Sequence, residues 1–243
     1  MKNIITIYKR EINSYFSSAL AYGIMIIYLI SSAVAAFHFS GLYNQNNNDL
    51  APYFYFQPFI LVFIIPAITI KLFSEEFKQG TIELIRTLPI KSYELVIGKL
   101  FACSVFMTIV ILMSSPIWII LNLYIKADNN LILWQYIALI LVSSSLISLS
   151  SIGSIISNSI VNSYIYSFII SMFFMGKLLP TIWQFLSKYI DAKISLQTSN
   201  IFDFTNNYNQ IILGNINIVN ISYFILISIF SIWINIIILE DKK

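Results

Sequence analysis

The residues of this sequence that could do chemistry are few. One histidine, His38, excludes a multi-histidine metal site, and the carboxylates fall in loops or at helix ends without the spacing of metal ligands. The single cysteine, Cys103, lies inside an apolar run, where it reads as a small buried hydrophobe. A phosphate-cradling loop needs Gly-x-x-x-x-Gly-Lys-Ser/Thr, whereas both Gly-Lys pairs, Gly98-Lys99 and Gly176-Lys177, precede leucine and lack the earlier glycine. No catalytic residue, cofactor or metal ligand is expected. What remains is the stretch from Ser74 to Lys91, which carries Glu75, Glu76, Lys78, Glu83, Arg86 and Lys91 between two long apolar runs. In a chain that is 58% hydrophobic and only 10% charged, this cluster must lie in water or against another protein, because unpaired charge is not tolerated in hydrocarbon. Its chemistry is recognition, and it is the best candidate for a docking surface.

Local rules give this stretch a shape. Gly80 can take the left-handed conformation that ends a helix arriving from the preceding run, and Thr81 can begin a short helix that Pro89 terminates. On that short helix Ile82, Ile85 and Leu88, joined by Leu84, share a face and leave Glu83, Arg86 and Thr87 opposite. One face can seat on membrane helices while the other meets a cytoplasmic partner. The plainer alternative is a solvated loop, with Glu75–Lys78 and Glu83–Arg86 as i,i+3 pairs worth roughly a few tenths of a kcal/mol each.

The elements that hold this stretch follow from hydropathy. A mean hydropathy of +0.81 with 16% aromatics indicates an all-α polytopic membrane protein. The net charge of +3 is small and no Lys/Arg-rich run is present, so no nucleic-acid partner is expected. Residues 1–17 read as an interfacial helix with Ile4, Ile5, Tyr8, Ile12, Tyr15 and Phe16 on one face and Lys2, Lys9, Arg10 and Asn13 on another; Ile7 and Glu11 break the pattern. Six spans follow, at 18–39, 53–73, 95–124, 131–156, 164–186 and 218–239, each able to cross about 30 Å of hydrocarbon. The first could instead be a signal peptide, with Ala33-Val34-Ala35 as cleavage site, but Glu11 in the leader and the apolar run beyond that site argue against it.

Several details are expected along the way. Pro58 and Pro66 predict irregularity in the second span, Ser92 can cap the third helix with Glu94 in its first turn, and Pro116 interrupts that helix. The serines of the fourth span, from Ser143 to Ser157, permit close helix packing. Lys177 in the fifth span reads as snorkelling to the outer interface, and residues 187–217 as an outer loop too irregular to span. Ten of the fourteen basic residues then fall on the side of the N-terminus, which makes both termini cytoplasmic by the positive-inside rule.

The stretch Phe73-Ser74-Glu75-Glu76-Phe77-Lys78-Gln79-Gly80-Thr81-Ile82-Glu83-Leu84-Ile85-Arg86-Thr87-Leu88-Pro89-Ile90, followed by Glu94-Leu95-Val96-Ile97-Gly98-Lys99, resembles the signature of ABC-2 type transporter permeases. More narrowly it is similar to the gliding-motility-associated permease branch, members of which also occur in bacteria that do not glide. The resemblance extends to residues 9–18, with Ala19 where a proline is expected, and to Phe63–Thr69, and is weakest in the last third. It implies a permease subunit of an ATP-binding cassette exporter in the bacterial cytoplasmic (inner) membrane. That subunit pairs with a second permease, in a homodimer or heterodimer, and with two copies of a cytoplasmic ATPase on a separate chain. It also implies that the segment 74–91 is the cytoplasmic coupling helix, which assigns ATPase coupling to Glu75, Glu76, Lys78, Gly80, Thr81, Glu83, Arg86 and Pro89. A secondary transporter, which would need a buried acid within a span, and a non-transporting membrane scaffold are the rival readings.

Overall fold

Hydrocarbon offers no partner to a backbone N–H or C=O, so a chain this apolar must satisfy its backbone within each segment. A computed structural model describes residues 2–39, 50–80, 90–124, 128–176, 181 and 201–242, and among them the regular structure is helical throughout. The elements are α1 (Lys2–Phe16), α2 (Ala19–Val34, continued by a π-helical turn, Ala35–Phe39), α3 (Ala51–Gln79), α4 (Ser92–Leu112), α5 (Pro116–Tyr124), α6 (Asn129–Ile156), α7 (Ile160–Met175), α8 (Phe204–Ile212) and α9 (Ile218–Asp241).

Among the described residues, five stretches are long and apolar enough to cross a membrane: Ala19–His38, Ala51–Gln79, Ser92–Ile120, Asn129–Ile156 and Ile218–Asp241. The protein is an all-α polytopic membrane protein. Its fifth expected span appears as α7, 16 residues long, and residues 177–180 and 182–186 of that span lie outside the described residues. Short as it is, α7 runs from one end of the bundle to the other. The turn before it, at Asn158, meets Lys242 at the end of α9, and the carbonyl of Met175 at its far end accepts from Thr205 of α8. Both Asn3 and Lys242 lie at the end where α3 stops.

The core is organised on α6, which packs against α3, α4, α7, α8 and α9. Its buried face mixes aliphatic residues with the serines Ser143, Ser145, Ser148, Ser150, Ser151 and Ser154, and close approach is what the small residues permit. At Gly153 an added Cβ would lie 2.4 Å from the backbone nitrogen of Ser167 on α7. Around that contact the hydroxyl of Ser167 donates to the Ser150 carbonyl at 2.6 Å, and Ser150 Oγ lies 2.9 Å from Thr69 Oγ1 on α3. From α9, the buried amide of Asn235 donates to the Ser148 carbonyl at 2.9 Å. Small side chains and shared hydroxyls here do the work that apolar burial does in water.

Two sequence expectations are corrected. Pro58 and Pro66 lie within an unbroken α3. Proline removes the donor to the carbonyl four residues earlier, and for Pro58 that carbonyl is Phe54, which instead accepts from the buried Tyr208 hydroxyl of α8 at 2.8 Å. The residue flanking α4 as its cap is Lys91, with Ser92 already helical; Glu94 reaches back to the Lys91 N–H at 3.3 Å. The interruption at Pro116 is present as turns at 113–115 that separate α4 from α5. Within 187–217, Asp203 caps α8, whose Phe204, Tyr208, Ile211 and Ile212 are buried.

Candidate functional site

The expected helix stop is where local rules put it: α3 runs on past its apolar run to Gln79, and Gly80 takes φ 69°, its N–H bonded to the Phe77 carbonyl. Of the residues read as coupling residues, Glu75 and Glu76 are half-buried on the last turns of α3, and Lys78 and Gly80 are exposed. Thr81, Glu83, Arg86 and Pro89 lie outside the described residues.

The structure adds partners to Glu76 that spacing did not suggest. Lys99 of α4 is fully buried, and its ammonium lies 2.7 Å from Glu76 Oε1 and 3.5 Å from Glu11 Oε1. It also donates to the Leu72 carbonyl at 2.6 Å and sits 5.3 Å from the centroid of the Phe73 ring. Arg10, half exposed, closes the group from the solvent side, with Nη2 2.5 Å from Glu11 Oε1 and 3.3 Å from Glu76 Oε1. Two acids and two bases thus sum to zero charge, the condition under which such groups can be withdrawn from water. The cluster fastens the end of α3 to α1 and α4.

The rest of α1 is placed by the same two partners, α3 and α4. Its buried line is Ile7, Glu11 and Tyr15, one residue per turn, so the two residues that break the expected amphipathic pattern are part of the face that packs. Ile5 and Phe16, assigned to the apolar face, are exposed. Gly98 is the reason α1 can come this close: a Cβ there would lie 2.9 Å from the Ile7 side chain and 3.2 Å from the Ile4 carbonyl. Tyr8 contacts Phe101, Tyr15 stacks on Phe106, and Asn3 donates to Glu94 at 3.0 Å, so α1 follows α4 for about three turns. Lys71 of α3 completes the joint, donating to the Ser14 carbonyl at 2.9 Å and lying 5.2 Å from the centroid of the Tyr15 ring.

Burial pushes the Glu11 carboxyl upward, but Lys99 and Arg10 outweigh it and hold it below the ordinary glutamate range. Since the folded value lies below the unfolded one of about 4.3, this contribution is complete above that pH and is lost as pH falls through the folded value. Acid unfolding of the wild type, followed by intrinsic fluorescence in detergent, is expected to steepen below about pH 4.3, and Glu11→Gln to flatten that limb. An unchanged acid limb in the variant would show that Glu11 is not ion-paired.

The described residues contain no cluster of three or more potential metal ligands. A family model described as ABC-2 family transporter protein matches residues 9–177, a stretch that contains Arg10, Glu11, Glu76 and Lys99. No curated protein matches the chain.

Proposed function

Since this chain belongs to the ABC-2 transporter family, and is therefore a permease component of an ABC transporter, we propose that residues 75–90 receive the motion of a separate ATPase and pass it to the bundle. The observation that carries this reading is the buried cluster of Lys99 with Glu11 and Glu76. It joins the last turns of α3, which lead directly into 81–89, to α1 and α4. A displacement of the docking segment therefore moves three helices together. The residues assigned to the contact are Glu75, Glu76, Lys78, Gly80, Thr81, Glu83, Arg86 and Pro89, and the direction assigned is export.

The working unit is two permeases with two ATPase chains, in a bacterial cytoplasmic membrane, with both ends of the chain cytoplasmic. The placement of Asn3 and Lys242 at the end of the bundle that carries residues 75–80 supports a common side, and the distribution of basic residues supports calling it the inside. The motif at residues 73–99 supports the gliding-motility-associated branch. A secondary transporter fits less well: Glu11 and Glu94, both buried, lie at this same end and not midway along a span.

Charge reversal at Glu83, in the permease reconstituted with the ATPase that co-purifies with it, tests the contact. Glu83→Lys is expected to lower ATPase stimulation at least about tenfold, because like-charge juxtaposition at an interface costs several kcal/mol, while permease abundance stays the same. Stimulation that persists at the wild-type level means that residues 75–90 are not the contact.

A further inference from the structure

Glu76 is held by α1 and α4; its neighbour Phe77 is held from another side. Lys242 follows the last residue of α9, and its ammonium lies 4.6 Å from the centroid of the Phe77 ring. The same ammonium donates to the carbonyl of Ile156 at 3.0 Å and to Asn158 Oδ1 at 3.2 Å. Ile156 is the last residue of α6, so its carbonyl has no donor within the helix and stands at the negative end of the helix dipole. One cation therefore touches α3 and α6 while belonging to α9. Successive residues on a helix point about 100° apart. The end of α3 is accordingly gripped on two sides, by Lys99 through Glu76 and by Lys242 through Phe77.

We propose that Lys242 is a positioning residue for coupling: it ties the end of α3 to the ends of α6 and α9, beside the direct packing of α3 on α6. This rests on the reading of residues 75–90 as the ATPase contact. An exposed cation–aromatic contact and exposed hydrogen bonds to the Ile156 carbonyl and to Asn158 Oδ1 add little to the stability of a bundle of this size, so their effect lies in where the helix ends sit. Arginine can make these contacts, whereas alanine can make none of them.

The test uses the full permease with its co-purifying ATPase in liposomes, and a thiol at the opposite end of the bundle. Ile216→Cys places that thiol just before α9 at an exposed position, and the native Cys103 is buried and silent to a membrane-impermeant maleimide. Labelling rates are compared without nucleotide and after trapping with ATP and vanadate. Wild-type Lys242 is expected to give a nucleotide-dependent difference in rate. Lys242→Ala is expected to shrink that difference roughly fivefold, while ATPase binding and basal hydrolysis stay unchanged, and Lys242→Arg to restore it. A full difference in Lys242→Ala, an equal change in both nucleotide states, or no difference in the parent overturns the proposal. A parent that labels normally but fails to stimulate the ATPase points to the failure of the docking reading, and the proposal falls with it.

Discussion

Lys99→Met is expected to lower the free energy of unfolding by about 3–5 kcal/mol, the cost of breaking a buried ion pair from one side. The ammonium is fully buried and faces the Oε1 atoms of both Glu11 and Glu76, so its removal leaves two carboxylates beside one another with only the half-exposed Arg10 to answer them. The check is thermal unfolding in detergent, and a loss under about 1 kcal/mol would mean that the ammonium is not paired in the native protein. A second variant separates charge from shape. Combining Lys99→Met with Glu11→Gln and Glu76→Gln is expected to recover most of the stability, because a neutral buried group no longer requires a counter-charge. It is not expected to recover ATPase stimulation, since the ionic tie between the last turns of α3 and α1 is gone and only the Lys71 contact higher on α3 remains.

Gly153→Val is the second large effect. The three nearest atoms to a Cβ at this position all belong to Ser167: the nitrogen at 2.4 Å and the Cα at 2.8 Å, both backbone, and Oγ at 2.6 Å. Side-chain rearrangement cannot relieve that contact, so α6 and α7 must separate, which breaks the 2.6 Å hydrogen bond from Ser167 to Ser150. The expected loss is about 3 kcal/mol or more, read as a lower unfolding temperature and reduced accumulation in the membrane. Adding Ser167→Gly is expected to rescue little, because the obstruction is the chain itself. Gly23→Ala serves as the control: nothing lies within 4 Å of its Cβ, so it is expected to be neutral or slightly stabilising. A Gly153→Val protein as stable as the Gly23→Ala one would show that the two helices do not pack as described.

That the chain is helical and has several runs apolar enough to cross a membrane was legible because solvation decides it. A segment in hydrocarbon must be long, apolar and internally hydrogen-bonded, and each of these is a local property of the chain. The stop at Gly80 was legible for a related reason: the left-handed conformation costs glycine nothing, and φ 69° is what the structure shows. The interruption at Pro116 and the burial of Cys103 belong to the same class. The prolines of α3 do not. Whether a proline breaks a helix depends on who satisfies the carbonyl it abandons, and for Phe54 that is Tyr208, far away in sequence.

The candidate site divides in the same way. Glu75, Glu76, Lys78 and Gly80 stand out by composition, as charge and a breaker among apolar residues. Glu11 and Lys99 look, in sequence, like a fault in an amphipathic helix and a cation near the start of an apolar run. A usable signal was present: Glu11 sits four residues from both Ile7 and Tyr15, on one stripe, and Lys99 follows the Gly98 that admits α1.

By itself, then, the sequence determined that this protein lives in a membrane as an all-helical chain and which runs are apolar enough to cross it, because transfer between water and lipid acts on each residue wherever its neighbours are. Which acid meets which base, which helix seats against Gly98 or Gly153, and that the end of α3 is held from two sides were decided only by the tertiary structure. Ion pairing and steric fit are properties of two surfaces brought together, and one surface alone does not specify its partner.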